Sequence, residues 1–254
     1  MHGGDLQSPV GRSPCGNYDV ENQKNPDFTG GVAMTRILDL FVQEKVYKSK
    51  KTPVSILNNF KLEVNRGERI AIVGKSGVGK TTLLNILGLL DRNYTGTYTL
   101  FGSSTNELNL NQLAEWRNQK IGFVLQESAL IDSLTIEDNI KLPLLYAKSR
   151  NNESLATFSS IVEKIGIGSI LKKKPLECSG GEKARAVFAR GVIMKPSLIL
   201  CDEPTASLDQ ENKENILSLL SMMNQEYNAT IITVTHDLEV ANRHEKMIKL
   251  EREM

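Results

Sequence analysis

The segment Gly74-Lys75-Ser76-Gly77-Val78-Gly79-Lys80-Thr81 constrains this chain more than any other stretch. An apolar, β-rich run, Arg69 to Val73, leads into it, and a run with helical periodicity, Thr81 to Leu90, leads out. G-x-x-x-x-G-K-[ST] between a strand and a helix is the pattern of a phosphate loop. Glycines let the backbone curl until successive N–H groups converge, and together with the helix N-terminus they stabilise phosphate oxygens. Gly74, Ser76, Gly77, Val78, Gly79, Lys80, Thr81 and Thr82 are therefore candidate contacts to ATP. Lys80 would reach the β- and γ-phosphates, and the Thr81 hydroxyl would ligate Mg²⁺.

The rest of the chain alternates in the way such a loop requires. IGFVLQ, LILCD and TIITVTH read as buried strands, with helices predicted from Gln112 to Trp116, Glu182 to Met194 and Glu211 to Glu226. That order implies an α/β, P-loop NTPase architecture with a mostly parallel sheet covered by helices. Earlier runs, ILDLFVQEKVY, SILNNFKLEV and YTLFG, predict a β subdomain of antiparallel strands. Between about 136 and 175 the pattern turns helical and polar, broken by Pro143, and predicts an inserted helical subdomain. Residues 1–33 are rich in Gly, Pro, Asn and Ser and are expected to be a disordered or added extension, leaving 34–254 as one ATPase domain with Met34 a plausible native start.

Ser197 to Glu203 is an apolar run ending in two carboxylates, and in a parallel sheet ligands bind beyond the carboxyl ends of the strands. Asp202 is expected to hold Mg²⁺ through its water shell. Glu203, one residue on, is placed to polarise water for attack on the γ-phosphate. Without the upstream loop, the same pair would read as a turn or a helix cap.

Composition excludes several other classes. The 31 Lys and Arg balance 30 Asp and Glu, so no summed field marks a nucleic-acid or anionic-membrane binder. Cys15, Cys178 and Cys201 lack the spacing of a zinc site or the density of a disulfide scaffold. No apolar run approaches the ~20 residues needed to span a bilayer, so a membrane role would run through a partner. Lys172 to Lys174 reads as a solvated loop, and His2 and His244 carry no expected role.

Between loop and carboxylates lies Cys178-Ser179-Gly180-Gly181-Glu182, followed by KARAVFAR, which resembles the signature of ATP-binding cassette proteins except that Cys178 stands at the usual leucine. Alone it could be a capping box. The resemblance implies a head-to-tail dimer in which Ser179, Gly180, Gly181 and Glu182 of one subunit complete the γ-phosphate site begun by Lys80 of the other. It also implies roles for Gln126, toward Mg²⁺ and the attacking water; for Ser207 to Asp209, crossing the dimer interface; and for His236, donating to the γ-phosphate. Tyr47 falls where the family stacks an aromatic on adenine.

LNILGLLD, WRNQKIGFVLQ and LTIEDNIKLPLLY resemble the ATPase subunits of the lipoprotein-release, macrolide-export and bacteriocin or antimicrobial-peptide export branch. That branch implies a separate transmembrane permease, a peripheral position on the cytoplasmic face of the membrane, and no nucleic-acid partner. DEPTASLD in place of DEPTGNLD leans toward peptide or bacteriocin export. An importer ATPase and a non-transport cassette ATPase remain alternatives. Leu130 and Leu134, after Gln126, are expected to be exposed and to dock the permease.

Overall fold

The computed structural model describes residues 20–21, 35–47, 54–125, 130–147 and 152–251, with the side chains of 20–21 and 152–155 not described. Its strands are β1 (Val20–Glu21), β2 (Arg36–Tyr47), β3 (Val54–Asn65), β4 (Arg69–Val73), β5 (Thr95–Leu100), β6 (Ser103–Ser104), β7 (Ile121–Leu125), β8 (Leu198–Asp202), β9 (Thr230–Thr235) and β10 (Lys246–Lys249). The helices are α1 (Lys80–Leu87), α2 (Leu110–Gln119), α3 (Ile136–Leu145), α4 (Asn152–Ile165), α5 (Gly180–Val192), α6 (Gln210–Tyr227) and α7 (Leu238–Ala241).

The larger sheet runs β1-β10-β4-β9-β8-β7, and its pairings are parallel except where β1 joins the edge strand β10. Val20 and Glu21 of the leading segment thus contribute to the sheet, while the rest of 1–33 lies outside the described residues. The smaller sheet runs β3-β2-β5-β6, all antiparallel, as predicted.

Alternate residues of a strand face opposite ways, which sorts the core into two layers. Leu198 and Leu200 of β8, with Ile232 and Val234 of β9, pack on the side of α1 and the antiparallel sheet. Ile199, Cys201 and Ile231 pack on the side of α3, α4, α5 and α6. β8 therefore reads as a nearly continuous apolar run, and β9 is buried throughout with its threonines included, because both faces are covered. Cys201 fills a core position, and burial pushes its thiol up to about 12. Trp116 packs α2 against the first layer, edge-on to Phe101.

The helical insertion comprises α3, α4 and single turns at Gly168–Ile170 and Pro175–Glu177. Pro143 does not end α3 but sits in its last turn, with two helical residues beyond it. Leu130 is not exposed as expected: it is 8% accessible and belongs to the second core layer. The buried Asn139 explains this. Its side chain accepts from Ile131 N and donates to Ile131 O and Thr135 O, closing a turn that directs Leu130 inward. Leu134 is half-buried, and among the described residues Ile131, Leu145 and Tyr146, with Leu176 in the last turn, are exposed apolar side chains of the insertion and the loop before it. Among the described residues no helix is long and apolar enough to cross a membrane.

Candidate active site

The parallel strands deliver their chemistry to one edge. Val73, Asp202, Thr235 and Leu125 end β4, β8, β9 and β7, so Gly74, Glu203 and His236 emerge side by side beyond them. Gln126, which follows β7, lies outside the described residues.

Gly77 and Gly79 adopt φ of +76° and +112°, the left-handed region that favours glycine. A Cβ on Gly79 would also lie 2.6 Å from Ile56 Cγ2, so another residue here would have to displace the Ile56 side chain of β3. Val78 sends its side chain into the core, which leaves only its backbone to face a ligand. Lys80 Nζ donates to the Gly74 carbonyl at 2.8 Å and to that of Lys75 at 3.2 Å, holding an ammonium at the loop's mouth. Loop, α1 and strand ends enclose a cleft of about 300 Å³ lined by Ser76, Gly77, Gly79, Lys80, Thr81, Thr82, Asp202 and Glu203.

On the acidic side, Thr81 Oγ1 donates to Asp202 Oδ2 at 3.0 Å. Burial raises the Asp202 carboxyl above its ordinary value and neighbouring Glu203 adds to this, while Thr81 and Lys80 act against it. A half-buried carboxylate beside another, next to a hydroxyl, is an all-oxygen donor set short of positive charge, and it fits a hard divalent cation such as Mg²⁺. Glu203 sits at φ +46°, a strained backbone position for a non-glycine residue. Two partners hold its carboxylate: Thr235 Oγ1 donates to Oε2 at 3.1 Å, and His236 Nδ1 lies 2.7 Å from Oε1.

The signature segment lies at the start of α5. Ser179 caps the helix: its Oγ accepts from Glu182 N at 3.2 Å, and its own N–H donates to Glu182 Oε2 at 2.7 Å. The capping-box reading is therefore realised, and the Ser179 hydroxyl also faces the Glu182 carboxylate. Accepting the Ser179 N–H also holds the Glu182 carboxyl below its ordinary value. A Cβ on Gly180 would meet nothing, so that face is open. On Gly181 it would fall 2.0 Å from Asn212 Oδ1, because α6 crosses there.

Several contributors escaped the sequence reading. Asn212 accepts from Arg185 of α5 and donates to Asp209, tying the signature helix to the Ser207 to Asp209 loop. Lys213 donates to Asp237 at 2.8 Å and to Glu239 at 2.5 Å, tying α6 to the turn after His236. Thr235 had a legible signal, as the hydroxyl ending a β-strand directly before the histidine. Asn212 and Lys213 had none, because their partners are distant in sequence.

Comparison with known proteins agrees with this geometry. The ABC transporter family matches residues 57–206. The chain is 37% identical over 207 residues to the lipoprotein-releasing system ATP-binding protein LolD of Francisella tularensis, covering 81% of this chain and 90% of that one. It is 37% identical over 214 residues to the macrolide export ATP-binding/permease protein MacB of Mannheimia succiniciproducens, where the match covers 84% of this chain and only 33% of the relative. Among solved structures, the dimeric ATP-binding cassette MJ0796 in a post-hydrolysis state with ADP and Pi superposes with a TM-score of 0.78 at 35% identity, over 85% of this chain and 94% of that one. The phosphate loop, the paired carboxylates and the capped signature helix accordingly have one common explanation: the chain belongs to the ABC transporter family and is one of its ATPase cassettes.

Proposed function

We propose that residues 34–254 form the ATP-hydrolysing subunit of a bacterial transporter, which closes head to tail with a second copy around two MgATP and thereby drives a separate permease. The observation that carries this reading is the Glu203–His236 contact of 2.7 Å at the edge of the cleft that holds Lys80. Glu203 accepts a proton from water as it attacks the γ-phosphate, and Thr235 and His236 keep that carboxylate aimed at the cleft. Lys80 exchanges loop carbonyls for phosphate oxygens, and Tyr47 stacks on the adenine. Thr81 and Asp202, with Gln126, are the residues that would hold Mg²⁺, which when bound neutralises charge on the β- and γ-phosphates. Ser179 and the open N-terminus of α5 supply the γ-phosphate contacts of the other subunit's site. The exported cargo is a peptide, bacteriocin, lipoprotein or antibiotic, and the subunit sits on the cytoplasmic face of the membrane.

With Leu130 in the core, the permease contact falls to the exposed Ile131, Leu145 and Tyr146. Tyr146→Glu is expected to leave the isolated domain folded and its ATPase rate unchanged, while co-purification with a permease from solubilised membranes falls. Wild-type co-purification would place the contact elsewhere.

A further inference from the structure

Lys45 is 1% exposed, and a lysine is almost never fully buried unless paired. Its ammonium lies 2.6 Å from Asp91 Oδ2, donates to the Asn93 carbonyl at 2.8 Å, and stands 4.6 Å from the ring centroid of Tyr47. Lys45 and Tyr47 lie at the end of β2, where its register with β3 shifts between Lys45 and Val46 and the ammonium and ring are brought together. The Tyr47 hydroxyl donates to the same Asp91 oxygen at 3.3 Å and lies 3.5 Å from Thr82 Oγ1 of α1. Burial works against ionisation of Asp91. The hydrogen bonds from Lys45 and Asn93, with the Lys45 charge, outweigh it and hold the carboxyl below its ordinary value.

Asp91 follows α1 on a turn whose N–H groups, those of Leu90 and Asp91, return to the Asn85 carbonyl. The clamp therefore joins the strand bearing Tyr47 to the helix that grips phosphate. We infer that Lys45 and Asp91 are positioning residues for recognition of the nucleotide base: they fix the Tyr47 ring by one face and its hydroxyl, and so set the spacing between the base platform and the phosphate loop. A cation against one face of an aromatic ring is attracted to it and withdraws electron density, which favours stacking of a purine on the other face. A ring held in place also loses less rotamer freedom when the base arrives. Tyr47 is 44% exposed, which leaves its ring surface available to a base.

This inference rests on the stacking role of Tyr47, and the test separates the two. Binding of ADP and of pyrophosphate, both with Mg²⁺, is measured calorimetrically on the full chain, because pyrophosphate carries no base. Tyr47→Ala is expected to weaken ADP about tenfold and leave pyrophosphate unchanged. Lys45→Met and Asp91→Asn are each expected to weaken ADP about fivefold, again with pyrophosphate unchanged. Equal loss of both ligands in Lys45→Met and Asp91→Asn would assign the pair to fold stability and overturn the inference. So would unchanged ADP affinity in these variants alongside a weakened Tyr47→Ala. Unchanged ADP affinity in Tyr47→Ala would refute stacking itself, and the inference with it. Should Lys45→Met fail to fold, Asp91→Asn decides, since Asp91 is reachable by solvent.

Discussion

The phosphate-loop end and the signature end both present a glycine-opened helix N-terminus, and they differ in what surrounds it. At α1 the ammonium of Lys80, the Thr81–Asp202 pair and the Glu203–His236 pair converge on one cleft. At α5 the N-terminus is already capped by Ser179 and Glu182, and the nearby cations Lys173 and Arg185 are engaged by Glu182 and Asn212. In the proposed reading the first region compensates a triphosphate and supplies a base for water. The second offers a hydroxyl, an open backbone and a helix dipole, too little to hold an anion alone but suited to completing another subunit's site.

The sharpest way to break this contrast is at Glu203. Glu203→Gln keeps the shape and loses the base, so hydrolysis should fall on the order of 10²–10⁴-fold while MgATP still binds. On size exclusion with ATP the variant should accumulate as a dimer. A persistent monomer would mean that the signature end does not close on the nucleotide.

Gly181 probes the other end. Gly181→Ala puts a methyl into Asn212 and should cost about 1–3 kcal/mol in urea unfolding, with the ATPase rate reduced as α5 is pushed from α6. Asn212→Ala loses its own bonds to Arg185 and Asp209 but removes the clash, so the double variant should lose clearly less stability than the two single losses summed. Losses that simply add would mean that the glycine is needed for something other than this approach.

The smallest expected effect concerns the support beneath His236. His244 Nδ1 lies 3.0 Å from the Val240 carbonyl and Nε2 lies 2.8 Å from Thr233 Oγ1, so the neutral ring bridges α7 to β9. Burial, with Arg69 adding to it, lowers its pKa from 6.5 to about 4. The unfolded chain therefore binds the extra proton first. The contribution is complete above pH 6.5 and is lost as pH falls from there toward 4, reaching about 1 kcal/mol at pH 5.5. Comparing urea midpoints of wild type and His244→Gln at pH 7.5 and 5.5 should show the smaller acid loss in the variant. Equal losses would remove His244 from the account.

The arrangement was largely legible in the sequence because the candidate residues end buried strands. An apolar run such as LILCD, covered on both faces, stands out from its surroundings, and the polar residues that stop it are those at the sheet's ligand edge. Legibility failed where burial depends on a partner far along the chain. Lys45 alternates within ILDLFVQEKVY like an ordinary solvated residue, but register shifts at Val42/Glu44 and Lys45/Val46 break the alternation, and Asp91 and Asn93 then pair its ammonium inside. Leu130 looked like a surface leucine beside polar residues, and only Asn139, itself polar and fully buried, turns it inward. Short apolar segments carry no periodicity from which such folding-back could be read.

The central claim is that each ATP is served by the phosphate loop of one subunit and the signature of another. Lys80→Ala removes the first and Ser179→Arg the second, and each homodimer should be inactive. Ser179→Arg should still bind ATP at its own phosphate loop. When the two proteins are mixed, each mixed dimer regains one interface with both elements intact, so ATPase activity should recover to about a quarter of wild type. Activity in the mixture no higher than in either parent would contradict the account.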